Sequence, residues 1–248
     1  MISIIICSIT PEKFSRVSEN YRRLLGDEPH EIIGIHDAKS LAEGYNRGVA
    51  QSKGDLLIFS HDDIEILAPD FRERLLGHMK ECDVLGVAGT TRLVGGRWPA
   101  AGPPFLYGQI AQLNPYDNKT DILVFGTPAR RIVGMKALDG VFLCTYRKVV
   151  EAIPFDQDNF SGFHLYDIDF TFRAHLAGLR VAVCCDLHIL HESYGNLNRE
   201  WSRYEQLFTL KHGIHLDPPV GHAFRISILK LRNRDRMLEL MTPPHWGK

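Results

Sequence analysis

Leu56 to Phe59 is an unbroken apolar run that stops at Ser60-His61-Asp62-Asp63. A histidine and two carboxylates in successive positions could hold a hard divalent cation with a phosphate on its far side, because carboxylate oxygens suit such ions. The plainer alternative is a polar strand end that caps the following helix. Two more polar groups follow apolar runs in the same way: Ser8 after Ile2 to Cys7, and His36-Asp37 after Glu31 to Ile35. Asp167 and Asp169 come much later, with Arg173 four residues beyond Asp169. Carboxylates in the first turn of a helix are held as anions by its dipole, and Asp169 has Arg173 as a partner one turn on. Asp167 has no such cation in sequence, so it is the better placed to take a proton from a hydroxyl held against it.

These groups need a scaffold that gathers strand ends. Four apolar residues in a row suit a strand buried on both faces, as in a parallel sheet between helices. The first strand leads through Thr10, a fitting N-cap, and Pro11, at the first helical position, into a helix with Phe14, Val17, Tyr21 and Leu24 on one face. A second strand, Glu31 to Ile35, precedes a helix that opens with the capping box Ser40-Leu41-Ala42-Glu43. A third strand over Gly54 to Ser60, a helix over Pro69 to Lys80 and a strand over Val84 to Ala88 complete the alternation. The pattern predicts a single α/β domain with a mostly parallel, doubly wound sheet, like a nucleotide-binding half-domain, whose ligands sit beyond the carboxyl ends of the strands.

From Gly95 to Pro128 the pattern breaks into glycines and prolines with Trp98, Phe105, Tyr107 and Tyr116 among them. Long irregular segments in compact domains are often functional, and this one reads as a flap with short strands near Ile122–Phe125 and Arg131–Gly134. A strand from Ala137 to Cys144 follows, then a short helix from Tyr146 and an aromatic loop from Phe155 to Phe163. A helix on Ile168, Phe172 and Leu176 ends at Gly178, and a last strand from Arg180 to Cys185 leads on to His191-Glu192-Ser193. The tail from His222 to Met241 mixes apolar and basic residues and is expected to be helical.

At 248 residues the chain can bury a substantial core. Lys plus Arg numbers 29 against 30 for Asp plus Glu, which leaves no basic field for a nucleic-acid partner. No apolar run approaches the roughly 20 residues needed to span a bilayer, and Met1-Ile2-Ser3-Ile4 lacks the basic start of a signal peptide. The five cysteines form no CxxC pair and read as reduced core residues of a cytoplasmic protein. A peripheral contact of the basic tail with the inner membrane surface is the secondary expectation.

Taken together, Ser40 to Glu65 resembles the donor-binding segment of the family-two inverting glycosyltransferases of GT-A fold. There a helix with an Arg-Asn-x-Gly signature leads into a strand ending in Asp-x-Asp; here Tyr45-Asn46-Arg47-Gly48 and His61-Asp62-Asp63 stand in those places. Asp139-Gly140 resembles the family's Asp-Gly near the acceptor, and Tyr166-Asp167-Ile168-Asp169 with Arg173 resembles its Glu-Asp-x-Asp helix. His191 matches its late metal-binding histidine. The similarity spans about residues 2 to 195, and three positions depart from it: Tyr45 for Arg, His61 for Asp and Tyr166 for Glu.

The resemblance implies a GT-A-like domain over 1–220, with a nucleotide-binding half over 1–90, an acceptor half over 91–220 and a tail over 221–248. It implies transfer of a sugar from a nucleotide sugar, a UDP-sugar first of all, to a hydroxyl of a glycan or other acceptor. Mn²⁺ or Mg²⁺ would sit on the diphosphate, held by Asp63 and His191 with His61 nearby and Asp62 behind them. Ser8, Thr10, His36, Asp37 and Asn46 would bind the nucleotide, Asp139, Gly140 and Tyr166 would face the acceptor, and Asp167 would be the general base. Two other functions stay open on the residues alone: a nucleotidyltransferase, against which the absence of glycine in Ser8-Ile9-Thr10-Pro11 counts, and a sugar-nucleotide binding protein without turnover.

Overall fold

The β-branched run at the start of the chain forms a strand, β1 (Ile2–Cys7), buried at every residue but the last. In the computed structural model, which describes residues 1–114, 116–117, 119–193, 198–219, 227–231 and 236–243, the other elements are assembled around it. After β1 come α1 (Pro11–Leu25), β2 (His30–Ile35), α2 (Leu41–Gln51), β3 (Leu56–Ser60), β4 (Ile64–Ile66) and α3 (Phe71–Met79). The middle holds β5 (Val84–Gly86), β6 (Ala88–Thr90), β7 (Leu106–Leu113), β8 (Thr120–Phe125), β9 (Ile132–Val133), β10 (Ala137–Leu138) and β11 (Phe142–Tyr146). Then follow α4 (Arg147–Ala152), α5 (Tyr166–Leu176), β12 (Val181–Val183), β13 (Ile189–His191), α6 (Arg199–His212), β14 (Ser227–Leu231) and α7 (Met237–Met241).

The first sheet runs β2-β1-β3-β11-β5-β12-β9. β1 is parallel to β2 and β3, and β5 is parallel to β12, as the alternation of strands and helices requires. β11 lies antiparallel between β3 and β5, so the sheet is mixed. The cause is its route of entry: Phe142 pairs with Ser60, and the His61 N–H donates to Val141 O at 3.2 Å. β11 therefore starts where β3 ends and must run back down the sheet, which sets Asp139-Gly140 beside His61.

The second sheet runs β10-β6-β7-β13-β4, with β8 on the other edge of β7 and β14 on β8. Two stretches expected as single strands, Val84 to Ala88 and Ala137 to Cys144, each split and cross between the sheets, the first at Val87 and the second at Asp139-Gly140. The glycine- and proline-rich segment is ordered around a 3-10 turn at Trp98–Ala101 and the β7–β8 hairpin, with Ile110, Ala111 and Ile122 buried. Its polar residues hide the strand pattern because they are buried with partners of their own. Gln109 Nε2 donates to Met241 O at 2.8 Å, and Gln112 Nε2 to Ser193 O at 2.6 Å. β14 adds a strand in the tail, and α7 lays Met237 and Met241 against Ala111, Ile122 and Leu190. His222, Arg225, Arg232 and Arg234, on which the membrane-surface expectation leaned, lie outside the described residues. All five cysteines are free thiols, and no described helix is long and apolar enough to cross a membrane.

Local signals account for the helices on the first sheet. Ser40 Oγ accepts from the Glu43 N–H at 3.1 Å at the start of α2, while Thr10 occupies the N-cap position of α1 without a side-chain hydrogen bond. α2 approaches β1 so closely that a Cβ on Gly48 would lie 2.3 Å from Ile5 Cγ2, and one on Gly44 would lie 2.5 Å from Cys7 Sγ. We expect Gly48→Ala to lower stability by roughly 1–3 kcal/mol in urea unfolding, the scale of overpacking. Gly77→Ala, in α3 where an added Cβ meets nothing within 4 Å, should raise it by roughly 0.5–1 kcal/mol. Equal effects from the two would contradict the tight contact of α2 with β1.

Candidate active site

Beyond Ser60 the chain turns into the space between the two sheets, and β13 pairs with β4 so that His191 lies opposite Ile64. The Glu192 N–H donates to Asp63 O at 3.0 Å and closes the ends of these two strands. Three side chains gather there. His61 Nδ1 is 3.4 Å from His191 Nε2, and Asp63 Oδ1 is 3.3 Å from His191 Nε2 and 3.9 Å from His61 Nδ1. All the donor atoms lie within 4.8 Å of one another. Ser193 Oγ is 3.1 Å from His191 Nε2, and Lys13 Nζ is 3.8 Å from Asp63 Oδ2.

Burial, joined by the charge of His191, pushes the His61 imidazole down to about 4, so it is a neutral ring with one lone pair near pH 7. Burial alone would raise the Asp63 carboxyl, but the hydrogen bond and charge of His191 and the charge of His61 hold it well below the usual carboxylate range. A permanent carboxylate and two imidazoles form a donor set that fits a divalent ion such as Mn²⁺.

A cavity of about 250 Å³ opens next to this cluster, lined by Ser8, Leu41, His61, Asp62, Asp63 and Phe163 among others. Ser8 Oγ donates to Asp62 Oδ2 at 2.6 Å and accepts from the Thr10 N–H at 3.3 Å, so the loop after β1 is tied to the loop after β3. His36 Nδ1 lies 2.8 Å from Ser8 O and therefore carries its proton there. Asp37 is exposed and pairs with Arg47 at 2.6 Å. Asn46 is placed elsewhere: its amide donates to Phe155 O at 2.8 Å, accepts from the Phe155 N–H at 3.1 Å, and lines a separate cleft with Arg173 and Lys211.

On the Nε2 side of His61 a second group of residues is built on Gly140. Its N–H donates to Asp167 Oδ2 at 2.7 Å, and its carbonyl lies 3.3 Å from the Tyr166 hydroxyl, which is also 3.0 Å from His61 Nε2. A Cβ on Gly140 would stand 2.4 Å from the Tyr166 hydroxyl and 2.7 Å from Asp167 Cβ, so only glycine fits. Leu165, just before α5, has φ +60, a left-handed conformation that a leucine adopts only under constraint. Asp139 is fixed by Trp98 Nε1, which donates to its Oδ2 at 3.1 Å, and by the Val141 N–H on its Oδ1. Burial first, and the nearby Asp139 carboxylate second, push the Asp167 carboxyl up to about 7.

The structure thus brings Ser8, His61, Asp62, Asp63, His191, Asp139, Gly140, Tyr166 and Asp167 to one face, with Thr10 tied to Ser8, His36 and Asp37 towards its rim, and Asn46 apart. Lys13, Ser193 and Trp98 join this face without having been expected as site residues, although Trp98 and Ser193 stand in stretches singled out above. Lys13 lies in the first turn after β1, where the strand-end rule could have found it. Trp98 reaches Asp139 across 41 positions, and no local signal links them.

The model of a glycosyltransferase-like family matches residues 3–212. No curated protein is matched by the sequence. Among solved structures, residues 1–349 of TarS from S. aureus in complex with UDP are similar at a TM-score of 0.54 and 12% identity, over 100% of this chain and 72% of that one. The mannosyltransferase PcManGT from Pyrobaculum calidifontis in complex with GDP-Man and Mn²⁺ is similar at a TM-score of 0.52 and 8% identity, over 88% of this chain and 65% of that one. At these identities the likeness is one of fold, the GT-A fold.

The raised Asp167 carboxyl is open to direct measurement. Carboxyl ¹³C NMR should show it titrating near 7, and Asp139→Asn should move the midpoint down because one of its two causes is removed. Between the ordinary carboxylate range and about 7 the folded state keeps a proton that the unfolded chain has released. The stabilising contribution of Asp167 is therefore complete at low pH and is lost as pH rises through about 7. A midpoint near 4 in the wild type would contradict the enclosure described above.

Proposed function

The chain belongs to the glycosyltransferase-like family, so its reaction is glycosyl transfer, and we propose that it moves a sugar from a nucleotide-sugar donor to an acceptor hydroxyl with inversion at the anomeric carbon. What carries this reading is one juxtaposition: the His61–Asp63–His191 cluster beside the cavity at the ends of β1 and β3, with Asp167 held by the same Gly140 peptide whose carbonyl meets the Tyr166 hydroxyl next to His61. His61, Asp63 and His191 would hold Mn²⁺ or Mg²⁺. When bound, such an ion neutralises the charge that builds on a departing diphosphate. Lys13, beside Asp63, adds a fixed positive charge at the same place. Ser8 and Asp62 line the nucleotide end of the cavity with His36, Asp37 and Thr10 around its rim, and Asn46 serves it indirectly by holding the loop at Phe155.

Asp167, at the start of α5, takes the proton of the acceptor hydroxyl as that oxygen attacks, while the Gly140 N–H keeps the carboxylate oriented. A base whose pKa lies near 7 has enough basicity for a hydroxyl that is losing its proton and is still ionised in a good fraction of molecules at neutral pH. Asp139 and Tyr166 complete the acceptor side. A UDP-sugar donor is favoured by the likeness to a fold that carries UDP in TarS; the GDP-Man and Mn²⁺ of PcManGT support the wider class of nucleotide sugar with a divalent ion.

Release of UDP or GDP from a panel of UDP- and GDP-sugars, with an acceptor mixture, tests the proposal. Asp63→Ala should weaken UDP binding in Mn²⁺ and leave it unchanged in EDTA. Asp167→Asn should lower kcat by roughly 10²-fold or more while donor Kd holds, the usual scale for a general base. In the wild type kcat/KM should rise with pH through about 7, because the base works only when ionised. Saturable nucleotide binding without release of nucleotide from any sugar would make the protein a binder and overturn the transfer reaction.

A further inference from the structure

His61 has two ring nitrogens, and the structure surrounds them differently. Nδ1 faces the candidate ligands His191 and Asp63, while Nε2 lies 3.0 Å from the Tyr166 hydroxyl. That hydroxyl has one proton, and its neighbours are His61 Nε2, Gly140 O at 3.3 Å and the hydroxyl of Tyr45, which can itself donate or accept. A carbonyl oxygen can only accept, whereas a neutral imidazole nitrogen can donate or accept. The arrangement that gives Gly140 O a donor has the phenol donate to it and accept from an N–H on His61 Nε2. Tyr166 is 3% exposed, so water has little access to replace either bond. A neutral ring carries a single N–H, which leaves Nδ1 with its lone pair turned towards Asp63 and His191.

We propose that Tyr166 is a positioning residue that fixes the His61 tautomer, so that Nδ1 is presented as the third ligand atom for a divalent cation. This rests on the reading of His61, Asp63 and His191 as a cation site. The opposite tautomer would place an N–H at Nδ1, 3.9 Å from Asp63 Oδ1 and with His191 Nε2 at 3.4 Å as its acceptor, would turn the lone pair of His61 away from the cation site, and would strip Gly140 O of the phenol as donor. The phenol cannot drift to suit it, since its ring packs against Tyr45 at 5.7 Å and Phe155 at 6.2 Å between centroids. A metal-ligating histidine is commonly held this way, by a group that accepts from its other nitrogen. Here that group belongs to the helix that carries Asp167, and Gly140 bonds both: its carbonyl takes the phenol and its N–H takes the carboxylate.

Long-range ¹H–¹⁵N NMR of the imidazoles, with His61 assigned from His61→Asp, reads the tautomer in the wild-type protein and needs no other variant. Protonation at Nε2 is expected, and protonation at Nδ1 overturns the proposal. Mn²⁺ affinity, measured by EPR without nucleotide, should fall by about tenfold or more in Tyr166→Phe, the usual scale for loss of such a partner. The His61 signal should then spread over both tautomers while thermal unfolding shows the variant folded. In a His61→Asp background there is no ring to orient, so Tyr166→Phe should leave Mn²⁺ affinity unchanged; an equal loss there would make Tyr166 a packing residue and overturn the proposal. If the wild type bound no Mn²⁺ yet held His61 protonated at Nε2, the hydrogen-bond assignment would stand and the cation site would fall.

Discussion

The site depends on the close approach of α5 to a peptide that has no side chain. Because Gly140 lacks a Cβ, the start of α5 can set Tyr166 and Asp167 directly on its two backbone groups. That contact in turn requires β11 to enter the first sheet at the end of β3, since only then does the Asp139-Gly140 turn stand next to His61. The antiparallel strand in an otherwise parallel region is thus the element that brings α5, with Tyr166 and Asp167, next to His61.

Environment divides the carboxylates of this face into two kinds. Asp63 lies among imidazoles and beside Lys13, and is held as an anion well below the ordinary range. Asp167 is desolvated and faces a second carboxylate, and is pushed up to about 7. Two similar residues on one face acquire opposite chemistry from their neighbours, one suited to holding a cation and the other to moving a proton. The third, Asp62, is taken up by Ser8 and joins the loops of the nucleotide end.

Much of this was legible from residue order. β1, β2 and β3 announce themselves as β-branched or apolar runs, Ser40 and Glu43 mark α2, and the polar groups that end these strands are close in space because parallel strands share an edge. Hydrophobic period has nothing to say about which sheet a strand joins, so the splits at Val87 and at Asp139-Gly140 had no signal. The β7–β8 hairpin was masked by Gln109, Gln112 and Asp121, polar residues buried with partners distant in sequence or, for Asp121, with Asn114. The same limit applies to His61 and Tyr166. Each looked like an isolated departure from a family pattern, and only the fold shows the two as hydrogen-bond partners 105 positions apart.

Asp169 fixes the seams along which this protein could be recombined with its relatives. Its carboxylate is fully buried and accepts from Arg173 Nε at 2.7 Å, Lys211 Nζ at 2.6 Å and His212 Nε2 at 2.7 Å, while Lys211 also reaches Asp156 at 2.5 Å. A chimera joined between α5 and α6 would keep Arg173 and discard Lys211 and His212, leaving a buried carboxylate short of partners at a cost of order 3–5 kcal/mol. The loop at Asp156, α5 and α6 therefore form one exchangeable block, and a graft meant to alter what the cavity accepts would have to carry residues 154–212 as a piece.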